Sequence, residues 1–167
     1  MSNQAKIVEI GHIALRCADV EESVKFYTEV LGGNLKFVLT YEDWLEDTGK
    51  KKGEEAKAKL YEQVKDYIGQ KWITYVQLGS QFVELFNPEG IEEHSLTDGK
   101  LNYQHVALMV DDIHAYTEMI RERGAVIDTE PSFGLDNTWQ MWTHDPDGNK
   151  IEFMQYSDKS FQLVGKN

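Results

Sequence analysis

The chain has 167 residues, enough for one domain or two small fused modules around a real core, and its 41% hydrophobic and 11% aromatic content excludes an intrinsically disordered chain. A net charge of −12, with a pI near 4.8, argues against nucleic acid and anionic membrane surfaces as partners. No apolar run approaches the roughly 20 residues that span a bilayer, the N-terminal MSNQAKIVEI lacks a signal-peptide layout, and the single Cys17 excludes an internal disulfide or cysteine-rich zinc site, so a cytoplasmic protein is expected.

The first element is GHIALRCADVEESVKFYTEVLGG, beginning at residue 11. It reads as a strand followed by an amphipathic helix, with Asp19 as N-cap and Glu22 three residues on in a capping-box-like start. Val20, Val24, Tyr27 and Leu31 fall at helical spacing, and Gly32-Gly33 offers a left-handed stop. Three alternating strands are predicted next, NLKFVLTY, KWITYVQL and QFVELF, the last two joined at Gly79-Ser80. Between the first and second of these lies a charged insertion, at about residues 42–70, with Leu60, Val64 and Ile68 at i, i+4 and i+8. It is expected to be an inserted helix, either a solvated surface helix or a lid or subunit contact.

The order then repeats. QHVALMVDDIHAYTEMIRERGA, from residue 104, gives a strand and a helix capped by Asp112, carrying Ile113, Tyr116 and Ile120 and stopping at Gly124. AVIDTE, TWQMWTHD and NKIEFMQY complete a second set of three strands, with Pro146-Asp147-Gly148-Asn149 as a turn. The expected organisation is α+β: residues 1–95 as one βαβββ module, 96–167 as another, together one domain. His12 matches His105, and Glu84 matches Glu152 in the last strand of each half.

A strand glutamate among apolar neighbours faces solvent or meets a positive partner, because a buried carboxylate costs on the order of several kcal/mol when uncompensated. A lone strand histidine is ordinarily a packing residue. Four such residues at duplicated positions form a set, however. If the repeats pair about a pseudo-twofold axis, His12, Glu84, His105 and Glu152 converge, and two waters complete an N2O4 octahedron suited to Zn, Ni, Co or Mn. Trp139 and Trp142 either line the pocket or pack in the core. Cys17 lies on the strand face opposite His12 and is expected in the core.

These residues, with the closing motif HDPDGNKIEF, resemble the vicinal oxygen chelate superfamily over nearly the whole chain, and their His, Glu, His, Glu order is similar to bacterial glyoxalase I. The resemblance implies paired βαβββ modules forming an open, cupped mixed sheet around one divalent metal per site. It also implies a homodimer with active sites at the subunit interface. The substrate implied is a small molecule, a glutathione adduct of a 2-oxoaldehyde, isomerised through a metal-chelated enediolate. Glu152 would move the proton, Glu84 would act on the opposite face, and Arg16 would bind a substrate carboxylate. Asn87 is the nearest match to a glutathione-contacting asparagine; it stands three residues after Glu84 where the family has four, and Pro88 fills the expected place. Two further readings stay open: an epimerase or sugar isomerase using the same step, and a non-catalytic small-molecule binding protein of the resistance type.

Overall fold

The computed structural model describes residues 10–87 and 104–165; Pro88 and the expected module boundary at 95/96 lie outside them. Contacts divide the chain into two compact units, residues 1–24 with 33–89, and residues 25–32 with 90–167.

The first unit is a four-stranded mixed sheet in the order β1-β4-β3-β2. β1 (His12–Arg16) runs parallel to β4 (Gln81–Phe86), while β3 (Lys71–Leu78) is antiparallel to β4 and to the edge strand β2 (Asn34–Thr40). Strand alternation sends Leu15, Cys17, Val76, Val83 and Leu85 to one buried face. Gly79 has φ of 58°, which the tight β3–β4 turn requires and a side chain would resist. The two-residue turn fixes the register, and that register positions the site.

The insertion differs from the expected single helix. It forms α2 (Tyr41–Lys52) and α3 (Glu54–Val64), followed by a 3-10 turn at Lys65–Tyr67. They are separated by Gly53, whose φ of 88° interrupts the helical backbone. Thr40 begins α2 with a reciprocal capping box to Asp43. Leu60 and Val64 are buried with Tyr41 and Leu45 in a small core of their own, against which Trp44, Tyr67 and Trp72 pack. Trp44 stacks on Trp72 with ring centroids 4.3 Å apart. Ile68 lies past the helix end and is exposed, so the apolar stripe is two turns long rather than three.

α1 (Val20–Lys25) begins where Asp19 Oδ1 accepts from the Glu22 amide at 3.0 Å. It continues as a π-helical segment, Phe26–Val30, in which the Leu31 amide donates to the Phe26 carbonyl. Residues 25–32 belong to the second unit, where Tyr27 donates to Asp145 Oδ2 at 2.9 Å.

The second unit repeats the first sheet in the order β5-β8-β7-β6. β5 (Val106–Met109) is parallel to β8 (Lys150–Tyr156), and β7 (Thr138–His144) is antiparallel to β8 and to β6 (Ile127–Phe133). α4 (Ile113–Glu122), capped by Asp112, buries Ile113, Thr117 and Ile120 against this sheet. β6, at the edge of the described sheet, runs through Pro131 at a break in its register with β7. Asp145 opens the turn before β8. It accepts from the Asp147 and Asn149 amides, the Asn149 side chain and Tyr27, and burial raises its pKa against those bonds. A short α5 (Phe161–Val164) ends the described chain. No helix among the described residues is long and apolar enough to cross a membrane.

Candidate metal centre

The two units present the same arrangement of donors. In the first, Ala14 of β1 pairs in register with Glu84 of β4, so His12, two residues earlier, shares the face of Glu84. His12 Nε2 lies 3.5 Å from Glu84 Oε1. In the second, Ala107 of β5 pairs with Glu152 of β8, and His105 Nε2 lies 3.3 Å from Glu152 Oε2. Both pairs expose the imidazole and sequester the acid: each glutamate is 7% exposed. Among the described residues neither glutamate has a lysine or arginine partner.

An imidazole nitrogen and a carboxylate oxygen on one sheet face, with the acid shielded and no ammonium or guanidinium against it, suit a hard-to-borderline divalent cation. Each unit supplies two such donors. Among the described residues no three His, Cys, Asp or Glu side chains gather in one place. Each half is therefore a two-donor fragment that fits a cation only as part of a larger ligand set.

The acids differ in what faces them. Glu84 stands opposite Tyr75 across the β3–β4 ladder. Burial first, and the nearby Glu84 carboxylate second, push the Tyr75 pKa up to about 12. Glu152 stands opposite Trp142, whose ring meets His105 edge-on with centroids 4.9 Å apart. Burial raises the Glu152 pKa, His105 opposes the shift, and the negative charge of Asp136 adds to it.

The remaining candidates are dispersed. Arg16 is exposed and shares the His12 face of β1. Asn87 follows β4, and its amide donates to the Lys71 carbonyl and to Gln70 Oε1, each at 3.3 Å, so this side chain ties the end of β4 to the start of β3. Trp142 shares the Glu152 face, but Trp139 does not. It pairs with Gln155, three residues from Glu152 and hence on the other face, where it packs against His114 of α4 and Phe133. Tyr75 is absent from the residues singled out by pattern alone. Its signal was nonetheless present, since the two-residue turn at Gly79-Ser80 sets the register that places it opposite Glu84.

Residues 9–153 match the family model described as Glyoxalase/Bleomycin resistance protein/Dioxygenase superfamily. The chain is 28% identical over 154 residues to a probable lactoylglutathione lyase of Synechocystis sp., covering 89% of this chain and 95% of that one. It is 29% identical over 153 residues to the lactoylglutathione lyase of Haemophilus influenzae, covering 89% and 93%. Among solved structures, a glyoxalase/bleomycin resistance protein/dioxygenase from Alicyclobacillus acidocaldarius shares the fold with a TM-score of 0.59 at 13% identity, over 93% of this chain and 96% of that one. The chain belongs to the Glyoxalase/Bleomycin resistance protein/Dioxygenase superfamily.

Proposed function

We propose that this superfamily member is a metal-dependent lyase or isomerase of the lactoylglutathione lyase type, acting on a 2-oxoaldehyde thiol adduct or a related hydroxy-carbonyl substrate. His12, Glu84, His105 and Glu152 would hold one divalent ion, Ni, Zn, Co or Mn, through two imidazoles and two carboxylates. When bound there, such an ion would supply Lewis acidity to the substrate. The working form would be a homodimer with one ion per chain.

The observation that carries this reading is the condition of Glu152. A shielded carboxylate with a raised pKa is a stronger base than one in water. It takes the proton from the hydroxyl-bearing carbon of the adduct and returns it to the neighbouring carbonyl carbon. The hydroxyl proton passes between the two oxygens, so an α-oxo hemithioacetal becomes a 2-hydroxyacyl thioester with no atom gained or lost. His105 sits against the Glu152 carboxylate, and Trp142 supports His105 edge-on, which keeps the base oriented. Arg16 would receive a substrate carboxylate on an otherwise acidic protein.

The test is turnover of methylglyoxal plus glutathione by nickel- or zinc-loaded protein. Catalysis is expected, and Glu152→Gln should lose about 10²–10⁴ of the rate, the usual worth of a positioned base. Unchanged activity in that variant refutes Glu152 as the base. One observation favours a second substrate within the same chemistry: Asn87 spends its amide on Lys71 and Gln70 rather than on an open face. Loaded protein that binds its ion yet ignores the glutathione adduct would move the assignment to another hydroxy-carbonyl isomerisation.

A further inference from the structure

Both units carry the same irregularity in their edge strand, with different chemistry in each. Lys36 is an extra residue between the pairs Leu35–Val76 and Phe37–Tyr75; Asp128 is an extra residue between Ile127–Thr143 and Thr129–Trp142. A bulge of this kind re-aims the extra side chain. Each one bonds the residue two positions beyond the one that faces the glutamate. In the first unit that residue is Gln77, which accepts from Lys36 Nζ at 3.3 Å and donates to the Gly79 carbonyl at 3.0 Å. In the second it is His144, whose Nδ1 lies 2.8 and 3.0 Å from the two Asp128 carboxylate oxygens. We infer that Asp128 and His144 form an oriented imidazole base, a second proton carrier that moves the substrate's hydroxyl proton from one oxygen to the next. The inference rests on the isomerisation proposed above.

The register places this pair. His144 pairs with Lys150 and Trp142 with Glu152, so alternation puts His144 on the face that carries Glu152, about 7 Å along β7 from Trp142. A carboxylate only accepts, so in the neutral ring Nδ1 carries the proton and Nε2 keeps its lone pair. With both Asp128 oxygens against Nδ1, the tautomer and the ring's rotation are fixed together. Each side chain is 38% exposed, so a substrate can approach the ring. Gln77 has no basic nitrogen, and the first unit therefore repeats the scaffold without the base. Glu152 moves the carbon-bound proton in the proposed reaction, which leaves the oxygen-bound proton to be carried. The O–H bond on the hemithioacetal carbon breaks as Nε2–H forms, giving an imidazolium that faces Asp128. Nε2–H then breaks as the former carbonyl oxygen gains the proton, and the ring ends neutral. Asp128 is a positioning residue in this step, and His144 is the group that meets the substrate.

The test compares wild type, Asp128→Asn and His144→Gln. Nitrogen NMR of isotope-labelled, metal-free protein at alkaline pH should find the His144 ring protonated at Nδ1. Asp128→Asn, whose amide can donate, should reverse it to Nε2 while keeping the shape. With nickel-loaded enzyme, methylglyoxal and glutathione, each variant should lose about 10²-fold in kcat, with KM and nickel affinity near wild type. Wild-type kcat in either variant overturns the carrier and leaves the metal reading standing. A parallel loss of nickel affinity assigns the pair to supporting the ion's ligands and also overturns it. So does a wild-type ring protonated at Nε2, or one whose tautomer Asp128→Asn leaves unchanged, whatever the activity. Nickel-loaded wild type that turns over no adduct overturns the isomerisation reading, and the carrier with it.

Discussion

A carboxylate that is 7% exposed and faces no lysine or arginine among the described residues has lost most of its hydration without a full cationic partner. For Glu152 the result is a raised pKa, and the sign of its effect on stability follows. The folded chain holds the proton more tightly than the unfolded chain, so metal-free protein is most favoured below the ordinary carboxylate value of 4.5. That advantage is lost as pH climbs through the raised folded value. Metal-free Glu152→Gln should therefore melt at a higher temperature than wild type at pH 7, with the gap closing toward pH 4. Thermal melts across that range decide it, and a constant gap, or one of opposite sign, contradicts the burial argument. Tyr75 belongs to the same scale. A tyrosine in an alternating strand resembles sheet packing unless the turn's register is followed across to its partner, here Glu84.

At the scale of elements, the duplicated strand–helix–three-strand order was legible because each signal was local. Asp19 and Asp112 cap their helices, Gly79 turns its hairpin, and alternation places His12 and Glu84 on one face. Illegible from sequence was whatever depended on distant packing. The stripe of Leu60, Val64 and Ile68 suggested one helix, yet Gly53 divides the insertion and Leu60 and Val64 turn inward onto Tyr41 and Leu45. The opposite facing of Trp139 and Trp142 was, by contrast, readable in TWQMW, since three positions apart in a strand means opposite faces. The grouping of residues 25–32 with the second unit follows from Tyr27 reaching Asp145, a contact 118 residues apart in sequence. The insertion's small core makes its own prediction. Leu60→Ala should lower the opening free energy of α2 and α3 by about 2–5 kcal/mol, as cavity formation in a core does. Amide exchange reads this directly: protection should fall in both helices and persist in β3 and β4. Matched losses in the strands would mean the insertion is not a separate cooperative piece.

For the whole molecule, the family match gives the superfamily, and the pair of open four-stranded mixed sheets gives its fold. The acidic balance of −12 also bears on the proposed function, since a glutathione adduct would approach against the net field, and Arg16 is the cation proposed to meet it. In the proposed function, His12 with Glu84 and His105 with Glu152 would serve a single ion. Metal content and affinity test this most directly, measured on wild type, His12→Ala and His105→Ala with Ni(II) and Zn(II). One ion per chain is expected in wild type, with that ion lost from either variant alone. Full affinity and one ion per chain after removing either histidine would contradict it.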